Sequence, residues 1–117
     1  MEESKGVRYF VAHDGSKMAK EAYNMITDDF VTSGDHVTIC HCFDPKKTYL
    51  PKHMQSDFLK TSIEAECGRK FEEDQFDLRF RERDPEMTTH EQVKEIAKDR
   101  RADLICLGLH GRKKEGA

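Results

Sequence analysis

Asp103-Leu104-Ile105-Cys106-Leu107-Gly108-Leu109, followed at once by His110-Gly111-Arg112, is the stretch from which the rest of this chain can be read. From Leu104 to Leu107 every side chain is apolar, so no alternation leaves one face for water. Such a run suits a strand covered on both faces, as in parallel sheets, and predicts a place central in the sheet. The two glycines that follow, Gly108 and Gly111, end the run and let the backbone approach a ligand closely. A strand of this kind requires helices on both of its faces and neighbouring strands to pair with. The upstream sequence has to supply them.

It does so in alternation. Immediately before the run, Val93, Ile96 and Ala97 form a helical stripe that ends in Lys98, Asp99, Arg100 and Arg101, cations suited to a helix C-terminus. Either Thr88 with Glu91 or Thr89 with Gln92 makes a capping box at its start. Asp84-Pro85 is a turn. Between Asp77 and Arg83, Leu78 and Phe80 point one way and Arg79, Arg81 and Arg83 the other, as in a strand at or near a sheet edge. Leu59, Ile63, Cys67 and Phe71 mark a second helix, preceded by a longer loop from Lys46 to Gln55 that contains Pro51. His36 to Phe43 is β-branched and apolar, a buried strand ended by Asp44-Pro45. From Ser16 to Phe30, Ala19, Ala22, Ile26 and Phe30 fall at helical spacing, widened by Tyr23 and Met25. Ser16 is the N-cap and Ser33-Gly34-Asp35 closes the helix. Val7 to Ala12 is the first strand, broken by Asp14-Gly15-Ser16. Tyr9, Phe10, Phe43, Phe71 and Phe80 read as core aromatics.

Strand and helix thus alternate from end to end, which predicts an α/β fold: a parallel sheet with covering helices in three layers. Ligands of such sheets bind beyond the carboxyl ends of the strands, where the winding direction reverses. The loops after Ala12, Cys42, Arg83 and Gly108 are therefore the ones that could form a site.

Composition narrows the function. The 117 residues suit a single domain, which at this length buries about two-thirds of its unfolded surface. Hydrophobic residues make up 36% and charged residues 37%, with a net charge of −3, so the basic field of a nucleic-acid binder is missing. No apolar run approaches the roughly 20 residues that span a bilayer, and the first residues lack the apolar centre of a signal peptide. A cytoplasmic protein is the expectation. Cys40, Cys42, Cys67 and Cys106 read as free thiols of a reducing compartment. Cys40 and Cys42 share one face of their strand with His41 on the other, but no second Cys/His pair stands at zinc-finger spacing.

Two loops could carry chemistry. In the first, His13, Asp14, Gly15 and Ser16 bring a carboxylate and a permissive glycine to a helix N-terminus, where free N–H groups attract anions and Asp14 can accept from a hydroxyl or hold a metal ion. The same residues are also ordinary strand-to-helix punctuation. In the last, Gly108, His110, Gly111 and Arg112 offer backbone N–H groups and a cation to a phosphate. Gly111 to Gly116 has Walker-like spacing but lacks the Lys and Ser/Thr that must follow. No Gly-x-Gly-x-x-Gly follows the first strand, and no nucleophile elbow is present. Ser16, His13 and Asp14 are contiguous and cannot converge as a triad.

Val11 to Ser16, His41 to Asp44 and Ala102 to Arg112, in this order and at these positions, resemble the universal stress protein family, and the resemblance runs from Val7 to Arg112. It implies an adenine nucleotide α-hydrolase-like sheet of strand order 3-2-1-4(-5), with the first and fourth strands adjacent at the reversal point. It implies a stress-response regulator binding ATP with Mg2+ or Mn2+, with at most slow hydrolysis, and often a homodimer. The site residues expected on this basis are Ala12, His13, Asp14, Gly15, Ser16, Cys42, Gly108, His110, Gly111 and Arg112. Asp14 would serve the ribose and the metal, the Cys42 backbone the adenine, and the glycines the phosphates. The family's motif continues, nine residues after its second glycine, with Gly and Ser or Thr. Here the sequence stops at Ala117, so the last strand and helix are expected to be missing from a single domain over residues 1–117. That departure supports an alternative, a dimeric interaction module of the same family that binds no nucleotide. A third possibility, an enzyme of the related α-hydrolase folds, would need a longer Ser/Gly-rich loop than His13-Asp14-Gly15-Ser16 provides.

Overall fold

The computed structural model describes residues 6–47 and 49–107. Within them, β1 (Arg8–Ala12), α1 (Lys17–Met25), β2 (His36–Phe43), α2 (Ser56–Lys70), β3 (Phe76–Glu82), α3 (Thr89–Asp99) and β4 (Leu104–Leu107) follow one another in strict alternation. All strand pairs are parallel and the order is β3-β2-β1-β4. The chain winds outward from β1 through β2 to β3. It then crosses back to place β4 on the other side of β1, so the winding reverses between β1 and β4.

Side-chain alternation along the strands builds two cores. Tyr9, Val11, Val37 and Ile39 face α1 and α2, where they meet Tyr23, Ile26, Leu59, Ile63 and Cys67. Phe10 and Cys40 face the opposite way and meet Val93 and Ala97 of α3. The layers are therefore α1 and α2, the sheet, and α3. Removing the fully buried Phe10 ring would cost about 3–5 kcal/mol.

The helix termini are made as the side chains dictate. Ser16 Oγ accepts the Ala19 N–H at 3.2 Å. At α3 the capping box is the Thr88–Glu91 one: Thr88 Oγ1 accepts the Glu91 N–H at 3.0 Å and Glu91 Oε1 the Thr88 N–H at 2.9 Å.

Two expectations need correction. The helix from Ser16 does not keep its 3.6-residue period to Phe30. Its last turn, Ile26–Phe30, widens to π geometry, and the Val31 N–H bonds the Ile26 carbonyl at 3.0 Å. The wider turn carries Phe30, four residues after buried Ile26, off the buried face, while Thr27, four residues after Tyr23, stays inward. Thr27 is 4% exposed, with its hydroxyl donating to the Tyr23 carbonyl at 2.9 Å, whereas Phe30 is 43% exposed. The second correction concerns β4, which among the described residues is an end strand and not a central one. Cys106 and Leu107 enter the two cores, but Leu104 and Ile105 are 41% and 47% exposed. β3 holds the opposite edge, as its alternation required.

Candidate functional site

Beyond the carboxyl ends of β1, β2 and β3 lies a cavity of about 480 Å³, within the range of small-molecule sites. Asp14 contributes from the loop after β1. Cys42, Phe43 and Asp44 contribute from the end of β2, and Arg83 from the end of β3. Met54, Ser56 and Asp57 close it from the loop before α2 and the first turn of that helix, and Thr89 from the first turn of α3. Carboxylates, cations and apolar side chains all face the same space.

The first loop is held tightly. The His13 N–H extends the ladder by bonding the Cys40 carbonyl at 2.8 Å. His13 Nδ1 accepts the Gly15 N–H at 3.0 Å, and Asp14 Oδ1 accepts the Ser16 N–H at 2.9 Å. The chain can make this turn because Gly15 sits at φ +86°, where other residues are strained. A Cβ there would also stand 2.8 Å from the His53 carbonyl oxygen and from Met54 Cα. The 52–54 turn therefore rests directly on the β1–α1 loop. The glycine lets two loops, distant in sequence, meet at the cavity's edge.

Two histidines lie buried on the α1/α2 face of the sheet, His13 behind the cavity wall and His41 in it. Burial lowers the pKa of His13 to about 4; Asp14 opposes this and His41 and Lys20 add to it. His13 is consequently neutral at pH 7 and serves as an acceptor within the turn. His41 packs its ring 5.2 Å from Phe80 and 6.0 Å from Phe43, and burial lowers its pKa too, against the raising influence of the His13 backbone and Asp14. Its Nε2 is buried without a hydrogen-bond partner among the described residues.

Of the residues expected from sequence, Asp14 and Cys42 line the cavity together. Ala12, paired with Cys40 and Leu107, His13, Gly15 and Ser16 shape the strand end and turn behind it without lining it. Gly108, His110, Gly111 and Arg112 lie outside the described residues. The adjacency of β1 and β4 holds, with Ala12 in register with Leu107. His41, Phe43, Asp44, Met54, Ser56, Asp57, Arg83 and Thr89 are lining residues that sequence reasoning did not assign to the site. The rule that sites form at strand carboxyl ends pointed to the loops after Cys42 and Arg83. No local pattern pointed to the α2 approach.

No group of three or more His, Cys, Asp or Glu among the described residues is placed to hold a metal ion. A cation at this cavity would need oxygens from a ligand beside the Asp14 carboxylate. No helix among them is long and apolar enough to cross a membrane.

Comparison with known proteins gives two findings. A family profile described as the universal stress protein family matches residues 8–116. The crystal structure of protein Rv1636 from Mycobacterium tuberculosis H37Rv is similar with a TM-score of 0.62 at 17% identity, covering 94% of this chain and 76% of that one. At that identity the likeness shows the fold alone. No curated protein sequence matches.

Proposed function

This chain belongs to the universal stress protein family, a family of stress-response proteins, and from that premise we propose that it acts as a regulator by binding ATP with a divalent cation in the cavity at the strand ends. One observation carries the reading: Asp14 and Cys42, from the ends of two different strands, share the wall of a cavity of about 480 Å³ beyond the carboxyl ends of the parallel strands. Asp14 would hold the ribose hydroxyls and the cation, with phosphate oxygens completing the cation's shell. The Cys42 backbone would meet the adenine. Gly108 and Gly111, expected to cradle the phosphates, belong to the proposal through the family resemblance. So do His110, Arg112, the homodimer and the cytoplasmic location.

A second reading, the dimeric interaction module without nucleotide, is favoured by the exposure of Leu104 and Ile105 on β4. Apolar residues on an end strand suit a protein contact.

Titration calorimetry of ATP with Mg2+ into the protein, preceded by a check for copurified nucleotide, separates the two. Micromolar binding supports the nucleotide reading. Absence of both heat and copurified nucleotide would leave the interaction module.

A further inference from the structure

The nucleotide reading leaves a pair of thiols at the cavity without a task. Cys40 and Cys42 lie on the same face of β2, toward α3. Cys40 is fully buried, whereas Cys42 is half-buried and lines the cavity. The parallel register sets Arg81 of β3 directly beside Cys42, with side chains on the same face, and Arg83, two residues on, lines the same cavity. One Arg83 terminal nitrogen donates to the Met87 carbonyl at 2.8 Å, which anchors the guanidinium at the β3 end. Cys42 is thus the one cavity-lining thiol, flanked by two cations and backed by a second thiol.

We propose that Cys42 is a thiol-modification site that controls access to the cavity: it exchanges with a low-molecular-weight disulfide, and the group it acquires occupies the space where the ligand binds. The second half of this rests on the ligand-binding reading above. The Cys42 thiolate attacks one sulfur of the disulfide. A new S–S bond forms to Cys42, the old S–S bond breaks, and the departing thiolate takes the electron pair and the proton that Cys42 gave up. The disulfide is the oxidant. The reverse exchange with a free thiol restores the cavity.

The four cysteines differ in the way this role requires. Cys42 is drawn below the usual thiol range, first by the hydrogen bond from Cys40 and, against burial, by Arg83 and Arg81. Cys40 is pushed up by that hydrogen bond and by burial. Burial also raises Cys67 and Cys106. Thiolate fraction and access together set exchange rates: access favours Cys42 over the buried Cys40 and Cys67, and thiolate fraction, helped by the neighbouring Arg81 and Arg83, favours it over Cys106. Cys40 does not close a bridge onto Cys42, because i and i+2 in a strand lie about 6.6–6.8 Å apart at Cα, the upper limit for a disulfide.

The test is exchange of the reduced protein with glutathione disulfide at neutral pH, followed peptide by peptide by mass spectrometry. Cys42 should react about ten-fold faster than Cys106, and Arg81→Gln, a change at an exposed side chain, should slow it about three- to five-fold. Equal rates at Cys42 and Cys106, or an unchanged rate in Arg81→Gln, would overturn the site. Fully modified protein should lose ATP binding and regain it with dithiothreitol. Undiminished ATP binding after complete modification of Cys42 would overturn the control of access. If the unmodified protein binds no ATP, the nucleotide reading falls by itself, and a selective reaction at Cys42 still establishes the modification site.

Discussion

Asp35 Oδ1 accepts the Val7 backbone N–H at 2.8 Å, tying the turn before β2 to the chain entering β1. The other carboxylate oxygen accepts the Thr32 N–H at 2.8 Å and the Thr32 hydroxyl at 2.9 Å. One carboxylate therefore sets the register at which the two central strands begin. Burial raises its pKa, but the Thr32 and Val7 N–H groups and the Thr32 hydroxyl outweigh this and hold it below the usual carboxylate value.

Asp35→Ala should accordingly destabilise the fold by about 2–3 kcal/mol, since it leaves backbone donors without an acceptor. Because the folded-state pKa is depressed, the stability Asp35 contributes is present above the ordinary value of 3.8 and is lost as pH falls below it toward the folded pKa. Urea denaturation across that acid range should show a steeper loss in the parent protein than in Asp35→Ala. Parallel slopes would mean that the carboxylate is not the group responsible.

Gly15 and Gly34 both adopt positive φ, +86° and +92°, but only Gly15 is crowded. Gly34→Ala should cost roughly 1–2 kcal/mol, the backbone strain alone. Gly15→Ala should cost more, because the 52–54 turn must also move away, and it should weaken ligand binding at the cavity that Met54 lines. Similar thermal shifts for the two variants would show that the contact with His53 and Met54 carries no energy.

His13 provides a second pH dependence, of the opposite residue type. Its folded pKa, lowered to about 4 by burial, is below the ordinary 6.5, so the unfolded chain binds the proton more readily between these values. Its stabilising contribution should be complete above pH 6.5 and fall progressively down to about 4. His13→Asn, which keeps an acceptor for the Gly15 N–H, should flatten that slope, leaving the parts due to His41 and His36, whose pKa values burial also lowers. An NMR titration placing the His13 imidazole at an ordinary value would contradict this.

Asp14→Ala should loosen ATP with Mg2+ by about ten- to hundred-fold if the carboxylate meets the ribose and the cation, the size expected for a lost charged hydrogen bond. The Ser16 N–H would lose its acceptor as well, so Asp14→Asn, which retains an oxygen there, serves as the folding control. Calorimetry on both variants checks it; unchanged affinity in both would remove Asp14 from the site.

The fold class followed from side-chain periodicity alone. Alternating apolar runs and helical stripes predicted four strands and three helices in the observed order. The Ser16 cap could be named in advance, and the capping box narrowed to Thr88–Glu91 or Thr89–Gln92, because caps are made by residues three apart in sequence; the structure chose Thr88–Glu91. Strand order entered through the family resemblance, since no local pattern says that β4 returns to β1. Tertiary structure alone decided the π turn that exposes Phe30, the contact of the 52–54 turn with Gly15, and the pairing of Cys42 with Arg81. It likewise assembled a cavity from Asp14, Cys42, Arg83 and the start of α2. The physical reason is the range of the interactions. Periodicity and capping act within about one turn or a few strand residues and are written locally. A cavity wall is formed by loops that meet only after the sheet has closed, and nothing within any one of those loops specifies its neighbours.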